Sequence, residues 1–168
     1  FDEVKFPVND LLMHIKPLSS VFIPVNKLGT QSASNAIQLE EAYSSSAQIL
    51  YFPAGLCSRK QKGRIEDLEW KKNFIVKAIK HERDVVPVFF DGRNSTFFYN
   101  LARLRAKLRI KTNIEMLYLS DEMFRQKGKS ITVKIGKPIP FSTFDNTRNA
   151  HEWAQWVKHV VYQMKPAS

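Results

Sequence analysis

The chain has 168 residues, 43% of them hydrophobic and 25% charged, which fits one globular domain with a real core and excludes a disordered or fibrous polymer. Lys and Arg number 26 against 16 Asp and Glu, a net charge of +10 that favours anionic partners (nucleic acid, acidic lipid headgroups, phosphate-bearing cofactors or carrier proteins). A single cysteine, Cys57, excludes an internal disulfide framework and any cysteine-cluster metal site, and no apolar run reaches the ~18 residues of a spanning helix.

Short β-branched runs alternate with helical ones. Residues 4–8 read as a strand, followed by a short helical piece over 9–15 and a break at Pro17. Residues 21–25 (VFIPV) form a second strand, and 32–43 a helix with Ser32 and Ser34 as candidate caps. A third strand, 48–52 (QILYF), stops at Pro53 and Gly55, and a basic loop runs from there to Glu66. Asp67 is expected to cap a helix reaching His81, with Leu68, Ile75, Val76 and Ile79 facing inward.

Residues 84–90 (DVVPVFF) are a continuous apolar run, the pattern of a strand buried on both faces of a parallel sheet. The stretch 101–111 alternates basic and apolar residues. Its strong helix formers, and the helical spacing of Phe97, Leu101, Leu104 and Leu108, predict a helix. Residues 131–135 (ITVKI) form a further strand. Trp153, Trp156, Val157, Val160, Val161 and Met164 then define an amphipathic closing helix. The expected fold class is α/β, a mostly parallel sheet flanked by helices. In such sheets ligands bind beyond the carboxyl ends of the strands, here the loops after residues 25, 52 and 90.

Those loops hold the candidate site residues. Phe52, Pro53, Gly55, Ser58, Arg59 and Lys60, followed by Lys62 and Arg64, offer backbone amides, a hydroxyl and cations, the ingredients of a phosphate cradle or of an exposed basic loop. Arg93, Asn94 and Ser95 offer a bidentate anion ligand, or a helix start capped by Asn94 or Ser95. Asn26 and Lys27 add a donor and a charge after the second strand.

The motif Phe52-Pro53-x-Gly55-x-x-Ser58 resembles the third signature block of the glycerolipid acyltransferases, the lysophosphatidate-type family. Val85-Val86-Pro87-Val88 resembles its fourth block, and 21–27 stands where the second should. The fuller pattern, with Ser58-Arg59, Gly63, Ile65, Asp67, Trp70 and Gly92-Arg93-Asn94-Ser95, is similar to the bacterial hemolysin-like branch, which includes enzymes acylating lyso-ornithine lipids. The resemblance covers about residues 4–138. It implies a glycerol-3-phosphate acyltransferase-like fold, one domain over 1–168, with Pro87 at the strand-end site.

The implied activity is transfer of a fatty acyl group from an acyl thioester, on acyl carrier protein or coenzyme A, to a lyso-lipid hydroxyl. No bound cofactor is expected, and the implied setting is the inner face of an anionic membrane. The common third block has Glu at the position of Ala54 and Thr-Arg at Leu56 and Cys57, and that Glu and Arg are associated with a glycerol phosphate acceptor. Their replacement points to a different hydroxylated or lyso-lipid acceptor. Lys27 stands for the second block's usual Arg as a point charge.

None of His14, His81, His151 and His159 has Asp five residues on, so the family's catalytic His-x-x-x-x-Asp block is expected just upstream of Phe1. There the His would serve as general base on the acceptor, with the Asp fixing its tautomer. Two rival readings are weaker. A hydrolase elbow at Gly55-Leu56-Cys57-Ser58 has Arg59 where a second Gly is needed. A nucleic-acid module is favoured by the basic run Arg103 to Lys111 but by no zinc, helix-turn-helix or RNA-sheet signature.

Overall fold

The computed structural model of the protein describes residues 3–8, 13, 16–25, 33–61 and 63–166. The helical piece expected over 9–15 (Met13 excepted), the Ser32 cap, His14 and the candidate residues Asn26, Lys27 and Lys62 lie outside the described residues.

Three parallel strands open the fold: β1 (Val4–Val8), β2 (Phe22–Pro24) and β3 (Gln48–Ile49), in the order β2-β1-β3. The two neighbours share β1 along its length. Val4 and Lys5 pair with β3, while Phe6, Pro7 and Val8 pair with β2. The Phe6 amide donates to Val21 on the β2 side, so position 7 faces the other edge, beyond the last β3 pair. A proline is accommodated there because no ladder bond is asked of it.

Helix α1 (Ala33–Ser44) makes the crossover between β2 and β3. Its exit is clamped by Arg83, whose guanidinium donates to the carbonyls of Tyr43, Ser45 and Ala47 at 3.1, 2.8 and 2.6 Å. One planar fork thereby satisfies a last-turn carbonyl of the helix and two in the segment that leaves it.

The expected α/β class, a parallel sheet with flanking helices, is what the chain forms. Three local expectations change. The basic loop folds in part as an antiparallel hairpin, β4 (Arg59–Gln61) against β5 (Arg64–Glu66). Helix α2 runs only over Asn73–Lys80, and Asp67 does not cap it. Residues 67–70 instead give their backbone to the closing helix α5 (Ala150–Gln163). Tyr162 accepts from the Asp67 amide at 2.7 Å, Lys158 donates to the Asp67 carbonyl at 2.7 Å, and Gln155 donates to the Trp70 carbonyl at 2.7 Å. Groups bonded this way are not free to enter a helical ladder.

The run 84–90 is not a central parallel strand. Pro87 divides it: Val85 makes an isolated bridge to Ile139, and β6 (Val88–Phe90) pairs antiparallel with β7 (Val133–Ile135). Val86 and Phe90 are about half exposed, at 45% and 52%. A Cβ on Gly136 would lie 2.8 Å from Cγ of Pro87 and 3.1 Å from the Met164 sulfur, so this close crossing requires glycine.

The main core joins α2, β6 and α5 through Trp70, Ile75, Phe89, Trp153 and Val157, among others. The closing helix is as its periodicity predicts: Trp153, Val157 and Val161 are buried, and Trp156 and Met164 pack against the cluster. Its start is a capping box, Asn149 accepting from the amides of His151 and Glu152 while Glu152 accepts from the Asn149 amide. On α2 the buried residues are Phe74, Ile75 and Ala78, whereas Val76 and Ile79 are 44% and 42% exposed. Ile75→Ala should therefore lower the unfolding free energy by about 3 kcal/mol, and Val76→Ala by about 0.5 kcal/mol or less, in urea titrations.

Candidate functional site

The loop after β3 is a proline-led turn. The Phe52 carbonyl accepts from the Gly55 amide at 3.1 Å with Pro53 second in the turn, and Gly55 has φ of 66°. That left-handed conformation is one glycine takes without strain. Pro53 accepts from the Lys71 amide at 3.0 Å, tying the turn to the segment before α2. Phe52 stays 60% exposed at the mouth of the loop.

Ser58 donates to Asp67 at 2.7 Å, and Asp67 also accepts from the Trp70 indole at 3.1 Å. Ser58 is thus fixed by a carboxylate whose own backbone is held by α5. The hairpin that follows is basic and exposed, but its register separates the cations. Lys60 lies opposite Ile65, and Arg64 opposite Gln61, so Lys60 and Arg64 project from opposite faces.

The second loop arrives from β6. Ser95 caps α3 (Thr96–Lys107), accepting from the Phe98 amide at 3.2 Å, and the Asn94 amide donates to the Tyr99 hydroxyl at 3.1 Å. Both the amide and hydroxyl of Ser95 donate to Glu122, a carboxylate only 2% exposed on α4 (Leu119–Phe124). Arg93 is exposed and lines, with Asn94, Gln126 and Lys129, a shallow polar depression.

The two loops meet at Arg59, which lies 5.6 Å above the Phe98 ring, with Cys57 two residues before it. Burial pushes the Cys57 thiol up, the nearby Arg59 charge and the polar Asn94 side chain oppose this, and Asp67 adds to the rise. A thiol held above its usual range is poorly ionised at neutral pH, which weighs against the hydrolase-elbow reading of this residue.

Behind the junction sits Glu115, fully buried in the turn 114–118. Arg59 donates to one of its oxygens at 2.7 Å, and Nε of Arg105 stands 3.0 Å from the other. The second contact is an ion pair too far off-line to be a hydrogen bond, so Nε of Arg105 and Oε2 of Glu115 have charge partners but no aligned bond. Arg59 also donates to the carbonyls of Cys57 and Ser58 and lies 5.6 Å above the Phe98 ring. Its guanidinium is the bracket that joins the first loop to α3.

The structure therefore joins Arg59 to α3 through Glu115 and the Phe98 ring, holds Ser58 on Asp67 and Ser95 on Glu122, and leaves Phe52, Lys60, Arg64 and Arg93 exposed. Pro87 sits behind them, buried, its carbonyl accepting from the Gly136 amide at 2.8 Å. Glu115 and Glu122 organise the site yet stood out in no motif. For Glu115 the available signal was isolation: no acidic residue lies between Asp91 and Glu115, so it follows an uninterrupted basic run, whereas Glu122, next to Asp121, carried no such signal. Glu115→Ala strands two partly buried guanidinium groups and should cost about 3 kcal/mol in urea unfolding. Asp121→Ala, which removes only a surface pair with Arg125, should leave stability unchanged.

The model of the Acyltransferase family matches residues 1–168. Among curated proteins, a lyso-glycine lipid O-acyltransferase of Bacteroides thetaiotaomicron is 52% identical over 162 residues, 96% of this chain and 60% of its own length. One of the same name from Phocaeicola vulgatus is 53% identical over 161 residues, 96% of this chain and 58% of its own. The chain thus spans about three fifths of the length of these relatives. No solved structure matches it. With the family matched along its whole length, the chain belongs to the Acyltransferase family.

Proposed function

We propose that this chain is the acceptor-side part of an enzyme that moves a fatty acyl group from an acyl thioester to the hydroxyl of a lyso-lipid. The observation that carries the reading is Cys57, two residues before the Arg59 that joins the loops. This half-buried residue stands where glycerol-phosphate-using relatives have an arginine, and its thiol offers the acceptor no positive charge. The replaced Glu and Arg argue for an acceptor other than lysophosphatidate. The names of the two relatives favour a lyso-glycine lipid over the lyso-ornithine lipid that the sequence pattern brings forward.

The general base in this reading is the histidine of a His-x-x-x-x-Asp block upstream of Phe1. It takes the proton of the acceptor hydroxyl, the oxygen attacks the thioester carbonyl, and the tetrahedral intermediate expels the thiol of the donor. The exposed cations around the loops suit the phosphates of an acyl carrier protein or coenzyme A thioester, and the +10 charge suits an anionic membrane at its inner face. No helix among the described residues is long and apolar enough to cross a membrane.

Full-length protein offered lyso-glycine lipid, lyso-ornithine lipid and lysophosphatidate with each donor should acylate the first, with lysophosphatidate at least about tenfold poorer by mass spectrometry. Substituting the upstream histidine should lower the rate about 10^3-fold. A preference for lysophosphatidate, or full activity without that histidine, would contradict the assignment.

A further inference from the structure

Helix α3 has two apolar faces, and only one is packed. Phe98, Tyr99 and Ala102 are buried, while Phe97, Leu104 and Leu108 are 50%, 53% and 60% exposed. With Leu101, the exposed residues recur at i, i+4, i+7 and i+11, a single stripe that runs just past the helix end. The stripe widens onto the next turn. Phe97 meets Tyr118 edge-to-face with centroids 5.1 Å apart, and Tyr118 is itself 42% exposed. A contiguous exposed apolar surface of this kind marks an interaction face.

The charges on the helix itself are of one sign, and the exposed acid beyond the turn, Asp121, is paired with Arg125. Arg103 and Lys107, at i and i+4, are exposed along one flank, and Arg109 and Lys111 are exposed beyond the helix end. Arg105, on the other flank, is turned inward to Glu115. No acidic residue lies between Asp91 and Glu115 to oppose these cations. An apolar stripe bordered by cations is the pattern of a helix that lies in the headgroup plane of an anionic bilayer.

We propose that α3 and the adjoining turn dock this protein on an anionic membrane, the stripe entering the headgroup–acyl boundary and Arg103 and Lys107 resting on lipid phosphates. The inference builds on the lyso-lipid acyltransferase reading. Because α3 is capped by Ser95 and starts at Thr96, directly after the second site loop, docking by this helix sets the site at the surface from which a lipid acceptor arrives.

The test is sedimentation of the full-length protein with phosphatidylcholine vesicles and with vesicles also containing phosphatidylglycerol. Wild type should prefer the anionic vesicles and release with salt. The double variant Leu104→Glu, Leu108→Glu should bind them about tenfold more weakly or worse. Arg103→Glu with Lys107→Glu should abolish the preference for phosphatidylglycerol and the salt effect. Both variants should keep wild-type unfolding curves and transfer to acceptor dispersed below its micellar concentration.

Wild-type vesicle binding by either variant would overturn the proposal. A changed oligomeric state in the leucine variant, or loss of transfer to dispersed acceptor, would assign the stripe to a second copy or to the protein's own fold, and would overturn it equally. Anionic-vesicle binding that responds to both variants, in a protein that transfers no acyl group, would sustain the docking face and sink the enzyme reading alone.

Discussion

The arrangement of the site depends on one buried carboxylate. Glu115 is fully removed from water, and a charge in that position persists only with partners. It takes Arg59 from the hairpin and Arg105 from α3, which fixes the first site loop against the helix that carries the second. The same logic recurs on either side. Asp67 holds the Ser58 hydroxyl, and Glu122 holds Ser95 at the start of α3. In a chain with ten more cations than acids, three acids are used inside to place the loops. The cations outside remain available to attract anions.

The closing helix extends this control to the other end of the molecule. Its outward-reaching polar residues, Gln155, Lys158 and Tyr162, grip residues 67–70, while Trp153 and Val157 on its apolar face build the core. The position of Asp67, and through it of Ser58, is thus set by a helix about ninety residues later in the chain. Packing and site geometry are coupled through a few side-chain-to-backbone bonds.

This coupling explains what could be read from the sequence. The closing helix was legible because its apolar residues keep one period over four turns, a local pattern that packing had no reason to override. Helix α3 was legible as a helix from composition, but the Phe97-Leu101-Leu104-Leu108 stripe is not its buried face, since Phe98 and Tyr99 pack inward instead. The run 84–90 misled because apolar composition does not reveal a partner. Pro87 and the pairing of β6 with β7, some 45 residues later, make it antiparallel. The residue types of the site were visible in the loops, but the direction of Arg59 was not. It answers to a carboxylate 56 positions away.

In the proposed function the loops at 52–61 and 91–99 together form the acceptor site. The most direct measurement is photolabelling of the full-length protein with a diazirine-bearing lyso-glycine lipid, with adducts mapped by mass spectrometry. Label is expected on those two segments and should be removed by excess unlabelled acceptor. Label confined to other surfaces, such as the groove of α1 lined by Ile37, Glu41 and Ser44, would contradict it.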